Sequence, residues 1–442
     1  MVVISVKSME ESVILEPFAV PASRSDKTPQ WPLAQRVLFR FAFIYFVLYS
    51  MPEGGRINIL NVIPGAQYIA MPYTKLWHAI CPWIAIHGFH LSGQPTTYFP
   101  TGSGDTTLAY IENLAYVLLA LIGTLVWSVL DRRRLEYRFL HAWLRLLVRY
   151  TLAFTLFGYG FAKIFPLQFP PPRLFRLIQP YGDFSPMGVL WNFMGASVPY
   201  QIFSGAAEAL GGFLLLFRRT TTLGALVSFA VMANVVALNF CYDVPVKLYS
   251  SNLLLMAAFL AAGDAPRLLN IFLLNRPTGS VNLELPRFQR RWLHLATIAF
   301  WTLFVGIELF SQVQGGWSRY RETYLIPKRP PIFGLYEVRT FEPASGNGTP
   351  WRKIDFQLAG VSVRKADDSV ARFGVQYDAG QNTVTLNNLH TLTWSRPDGS
   401  RLILKGKLDG NPVSMELREI EPTKFLLINR GFHWINEFPF NR

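Results

Sequence analysis

Apolar positions along this chain come first in long unbroken runs and then, past about residue 316, in short alternating ones. A helix needs about 20 apolar residues to cross the hydrocarbon core of a bilayer. Seven runs reach or approach that length: 36–51, 107–130, 141–165, 200–217, 222–240, 248–263 and 292–313. The first and sixth are short and extend if Arg40 and Lys247 snorkel. The pattern predicts a polytopic α-helical membrane bundle of about seven transmembrane helices over 36–315, preceded by a polar segment, 1–35. No small-residue cleavage site follows the first run, so it is expected to remain as the first helix.

Two connections are too long and too aromatic for plain linkers. Residues 52–106 contain YTKLWHAICPWIAIHGFHL at 73–91, which suits an interfacial or re-entrant helix over about 72–92. Residues 166–199 open on PLQFPPPRLFRLI, a proline-rich break followed by a short amphipathic stretch, and a second loop helix region is expected over 170–198. Beyond 316 the period becomes two. Runs such as 401–408 and 413–418 recur every 8–12 residues between turn signals at 345–348, 366–369, 378–382, 396–400 and 408–412. These predict an all-β domain, 316–442, built as an antiparallel barrel or sandwich. The closing stretch RGFHWINEFPFNR is too aromatic for a free tail and is expected to dock.

Charge orients the bundle. The chain carries a formal +14, with only 16% charged residues against 51% hydrophobic ones. Its basic residues cluster between the runs, as Arg132-Arg133-Arg134, Arg218-Arg219 and Arg290-Arg291. Every second connection is rich in them, whereas the others hold Arg56, Lys75, Lys163, Arg173, Arg176 and Lys247. The positive-inside bias therefore predicts a cytoplasmic N-terminus, an extracytoplasmic β domain and the inner membrane of a bacterial envelope. It is a topology signal and excludes nucleic acid as the partner. The lipid bilayer is the expected partner, with room for membrane or periplasmic subunits.

Ionisable and amide side chains inside an apolar bundle are costly and mark functional sites by default. Placed by depth, Lys163, Glu208, Asn234, Glu112 and Glu308 fall in the outer parts of their helices. Asn239, Asp243 and Lys247 follow at the fifth connection. The inner half is expected to be nearly free of buried charge. The set points to a polar pocket opening outward, against the simpler reading of Lys163–Glu208 and Asp243–Lys247 as ion pairs fixing helix register. Of His78, His87 and His90, the last two share a helical face and could bind a metal with Glu112, but a clear fourth ligand is lacking, so interfacial histidines, or histidines lining a proton path, are favoured over a metal. Two cysteines, Cys81 and Cys241, with no CxxC, argue against a thiolate metal centre, and unpaired thiols are favoured over a bridge. No haem, flavin or iron–sulfur motif occurs.

Gly158-Tyr-Gly-Phe-Ala-Lys163 near the end of one helix is followed by Gly205-Ala-Ala-Glu208-Ala-Leu-Gly211-Gly212 in the next and by the basic turn Arg218-Arg219-Thr220. This resembles the DoxX-like superfamily of four-helix membrane units, over about 140–265. More distantly, the union of a bundle with an extracytoplasmic β domain resembles vitamin-K-dependent γ-carboxylase-like membrane proteins, with Lys163 at the matching lysine. The first resemblance implies a quinone-linked redox or lipophilic-ligand-binding subunit, and the second a carboxylase-like or transferase enzyme with Lys163 as base. A third reading is a non-catalytic accessory or assembly subunit. In the leading one, Trp77, Trp83, Phe161 and Trp191 wall the ligand. Lys163, Glu208 and Asp243 handle protons or carbonyl oxygens, and a quinone is the implied ligand.

Overall fold

The computed structural model describes residues 30–51, 67–279, 291–343 and 349–440. The expected N-terminal segment up to residue 29, the connection 52–66 with Arg56, the stretch 280–290 and the turn at 345–348 lie outside the described residues. The helical part contains α1 (Leu33–Ser50), α2 (Gln67–His87), α3 (Thr107–Leu130), α4 (Arg138–Ile164), α5 (Leu174–Leu177) and α6 (Pro186–Ala196). It continues with α7 (Val198–Leu216), α8 (Thr221–Cys241), α9 (Lys247–Ala262), α10 (Ala265–Phe272) and α11 (Arg291–Tyr320). Each of the seven apolar runs is a helix. The aromatic stretch at 73–91 lies largely in α2, and the proline-rich connection supplies α5 and α6.

The helices surround α4, which packs against α1, α7, α9 and α11. Its Leu144, Val148, Leu152, Leu156 and Phe157 are fully buried. The outer helices are dressed the opposite way from those of a water-soluble protein. Leu118, Leu121, Ile122, Leu125 and Val129 of α3 and Leu295, Ile298, Leu303 and Phe310 of α11 are exposed. Among the described residues, four helices are long and apolar enough to cross a membrane: Leu33–Ser50, Thr107–Leu130, Arg218–Cys241 and Arg291–Leu325. Lys247–Ala262 and Ala265–Phe272, bent by 77°, make a fifth if they are taken as one span. The expectation of seven apolar spans is thereby reduced. Helices α4 and α7 fall short because they carry Arg145, Arg149 and Lys163, and Gln201 and Glu208, on sides that neighbouring helices shield.

Those shielded sides also revise the expectation that one half of the bundle lacks buried charge. At the end away from Lys163, Arg40 is buried and donates to the Tyr137 hydroxyl, Ser128 Oγ and Asp131 O. Asp264, also buried, accepts from Thr222 Oγ1 at 2.6 Å and pairs with Arg145 and Arg267. Depth along a helix does not tell which side faces a partner, and these charges found partners across helices.

The C-terminal part is a nine-stranded antiparallel sheet: β1 (Gly334–Pro343), β2 (Trp351–Gln357), β3 (Gly360–Lys365), β4 (Val370–Phe373), β5 (Val375–Asp378), β6 (Thr383–Leu386), β7 (His390–Ser395), β8 (Arg401–Leu408) and β9 (Asn411–Ile420). Consecutive strands pair as a meander, and β9 returns to β1. The ladder is interrupted only between β4 and β5, which Gly374 joins, so the sheet is a nearly closed barrel. Tyr336, Ile354, Phe356, Val363, Leu386, Leu404, Met415 and Leu417 fill it at the alternate positions that the period of two requires. The turns expected at 366–369, 378–382, 396–400 and 408–412 all fall between strands. After β9 comes one helical turn, α12 (Leu426–Asn429). Most of the aromatic stretch beyond it is exposed, with Trp434 91% exposed. Arg430 gathers its polar groups, bonding His433 and Asn436 and lying 4.6 Å from the Phe440 ring centroid, which leaves the other rings outward.

Candidate functional site

Lys163 sits in the last turn of α4, where the helix dipole favours a cation. Glu208 lies midway along α7. Lys163 Nζ donates to Glu208 Oε2 at 2.8 Å, and the two side chains are only 7% and 3% exposed. The glycines of the two motifs explain how the backbones come close enough. A Cβ on Gly205 would stand 2.5 Å from Gly160 O and 2.7 Å from Lys163 Cβ, and one on Gly160 would stand 2.8 Å from Gly205 O. Gly211 and Gly212 repeat the close approach farther along, against Ser228 and Ala153. The crossing of α4 and α7 thus brings the ammonium and the carboxylate together inside a wall of small residues.

Aromatic rings close the pair. Tyr159, one turn before Lys163, lies 5.5 Å from Nζ by ring centroid, and Phe169 lies 6.0 Å away. Phe169 belongs to the proline-rich connection after α4 and is pinned there by Gln201, one face of α7 and two turns before Glu208. The Gln201 amide donates to Phe169 O at 2.9 Å and accepts from Phe169 N at 3.1 Å. Trp191 of α6 meets the Phe169 ring edge at 5.0 Å, with Leu190, Met194 and Val244 packed around them. Sequence reasoning passed over Tyr159, Phe169 and Gln201. The i, i+4 spacing of Tyr159 to Lys163 and the seven-residue spacing of Gln201 to Glu208 were available signals; the fold-back of Phe169 was not.

The remaining expected residues divide among several places. Asp243 does not join the pair. It lies just past α8 with a positive φ of 51°, its side chain is 82% exposed, and it holds Lys247 at 2.7 Å. Lys247 also stands 3.8 Å from Asp105, whose carboxylate accepts from the main-chain N–H of Lys247 and Leu248 and so caps α9. Asn239 donates to Ser250 Oγ at 2.9 Å, and Asn234 faces outward from α8. Glu112 accepts from Tyr116 in a second buried polar group that links Tyr73, Tyr116 and the Leu48 carbonyl. Trp77 packs edge-on to Tyr116 at 4.8 Å. Trp83 is exposed and stacks on His87. Phe161 stacks on Phe157, and Glu308 accepts from Gln312 on α11. Cys81 is buried, Cys241 is exposed, and no disulfide joins them. Trp191 alone of the four expected ring walls therefore lies at the Lys163–Glu208 site through Phe169.

A buried ammonium–carboxylate pair ringed by aromatic faces is chemically specific. Lys163 keeps two further N–H donors for an oxygen, and Glu208 Oε1 is free of Lys163. Among curated proteins, one from Bacillus subtilis (strain 168), with the printed name "Uncharacterized protein YwoB", is 32% identical over 133 residues, which is 28% of this chain and 79% of that protein. No protein-family model matches the chain, and no solved structure matches it.

Proposed function

The chain belongs to the same family as YwoB of Bacillus subtilis, whose printed name assigns no activity, and from its own residues we propose an integral membrane protein that binds a lipid-soluble, carbonyl-bearing ligand of the quinone class at Lys163–Glu208. The observation that carries this is the pair itself, desolvated between α4 and α7 and faced by Tyr159 and Phe169. A buried ion pair is a poor investment for stability alone, because apolar side chains of the same volume do as well or better. Lys163 donates a hydrogen bond to a ligand carbonyl, Glu208 accepts one from a ligand hydroxyl, and the rings hold the ligand plane. This is the role that the DoxX-like resemblance implies.

The exposed apolar faces of α3 and α11 support insertion in a bilayer, and the basic clusters support an N-in orientation with the barrel on the extracytoplasmic side of the inner membrane. A second reading, an accessory or assembly subunit, is favoured by the exposed Phe432, Trp434, Ile435 and Phe438 beyond the barrel. Organic extraction of the purified protein, followed by mass spectrometry, separates the two. Stoichiometric quinone in the wild type, and its loss from a folded K163M/E208Q double mutant, is the expected result. Extracts no richer than a detergent blank, or a double mutant that retains the ligand, would refute ligand binding at this pair.

A further inference from the structure

The connection 166–178 touches the ion pair at one end and the barrel at the other. It leaves α4 with the main-chain N–H groups of Leu167 and Gln168 on Ala162 O, and the Tyr324 hydroxyl donates to Pro166 O at 2.7 Å. Phe169, clamped by Gln201, covers Lys163. Pro170 presses its carbonyl against Gly195, where a Cβ would overlap it. Pro170, Pro171 and Pro172 then carry the chain to α5, which lies against β1 and β2.

The barrel has an imprint of this contact. Leu335, Asp355 and Arg364 point out of the barrel by strand alternation, since Tyr336, Ile354, Phe356, Val361 and Val363 point in. Outward positions of a solvated barrel are polar and exposed, yet these three are buried. Phe175 of α5 is buried as well, and Arg364 Nη1 donates to Ile178 O at 2.8 Å. Between the two anchorages, Phe169 and Phe175, stands a run of three prolines. Such a run is stiff and extended, so it transmits a displacement and does not absorb it.

We propose that the 166–178 strap is a lid on the Lys163–Glu208 site, held shut by the barrel wall, so that loosening the strap from the barrel opens the site. The proposal rests on reading the pair as a ligand site. It gives the barrel a role in that reading: the barrel sets how often a ligand enters or leaves.

Hydrogen–deuterium exchange of the full-length protein in detergent tests the coupling without any ligand. The Phe169 amide, bonded to Gln201, reports the site end of the strap, and the amides of 174–178 report the barrel end. Arg364→Ala removes the charged donor to Ile178 O, and exchange at both ends is expected to rise about tenfold or more. Gln201→Ala, which frees only the site end, calibrates the signal at Phe169. Faster exchange over 174–178 with Phe169 unchanged would overturn the lid, because the strap would then bend between its anchors. Should Arg364→Ala lose the protection of the barrel core, Phe175→Ala carries the same test, since it alters the strap and leaves every strand intact. Because the readout needs no bound molecule, a chain that carries no quinone refutes the ligand reading separately. Quinone binding with uncoupled exchange refutes the lid alone.

Discussion

Replacing Asp355 by asparagine tests the contact between barrel and strap through its pH dependence. Asp355 lies on the outside of β2, 2% exposed. Its Oδ2 accepts from Gln357 Nε2 at 2.7 Å, while Oδ1 is buried without a hydrogen-bond partner, and the Phe175 main-chain amide lies near the carboxyl. Burial outweighs those polar neighbours and Arg173, and it pushes the carboxyl up from 3.8 to about 6. The folded chain therefore holds a proton that the unfolded chain releases between those values. The contribution of this one group to stability is greatest below pH 3.8, falls as pH rises toward 6 and is level above it. The step from 3.8 to about 6, at about 1.4 kcal/mol per tenfold change in proton affinity, gives a penalty of up to about 3 kcal/mol at pH 7. Asp355→Asn imitates the protonated acid and does not titrate. Denaturant unfolding of both proteins in the same detergent, at pH 4, 5, 6 and 7, isolates the effect because all other titrations cancel in the difference. The variant is expected to match the wild type near pH 4 and to exceed it progressively, by up to about 3 kcal/mol at pH 7. A difference that does not change with pH, or a variant that is less stable at pH 7, would mean that Asp355 is not desolvated by the strap.

Breaking the Lys163–Glu208 pair by Lys163→Met or Glu208→Gln alone is expected to cost about 3–5 kcal/mol of bundle stability, and the double mutant to recover most of it, read from thermal inactivation in detergent. Recovery of ligand binding along with stability would reduce the pair to a structural lock. Gly205→Ala forces a methyl against Gly160 O and Lys163 Cβ and is expected to cost about 1–3 kcal/mol while lengthening the ion pair. An unchanged melting temperature would show that α4 and α7 separate freely. A reporter fused after Arg442 is expected to be active only outside the cytoplasm, and cytoplasmic activity would reverse the topology.

What the sequence disclosed depended on how local the cause was. Long apolar runs disclosed the helices, because each helix satisfies its own backbone and needs only length. Turn residues disclosed the strands from β3 onward for the same reason: Asp368, Asn382 and Asp409 adopt positive φ where the ADDS, DAGQN and LDGNP segments had marked turns. Lys163 and Glu208 stood out as charges in apolar helices, and the flanking glycines told that the helices approach. Asp243 was misplaced into their company because depth along the chain gives no direction around it. The turn after α8 carries its carboxylate to Lys247. Asp355 gave no signal. A polar residue at an outward strand position reads as a solvated one, and only the return of residues 173–178 onto the barrel makes it buried.

The same distinction explains why α4, the helix with the most chemistry, is not among the helices long and apolar enough to cross a membrane. A helix that faces lipid must be apolar over the surface it exposes, and α3 exposes a nearly continuous apolar face. Helix α4 is enclosed by α1, α7, α9 and α11, so its composition is set by protein partners and not by lipid. Arg149 finds the Tyr150 ring and Thr221, and Lys163 finds Glu208, Tyr159 and Phe169. Each of these groups would be prohibitive on α3. Enclosure also keeps water off the pair, which strengthens its electrostatics and leaves any ligand oxygen that enters to compete with protein groups alone. Charge at the centre and hydrocarbon at the rim follow from one constraint, and the strap of 166–178 closes the end of the centre that the helices leave open.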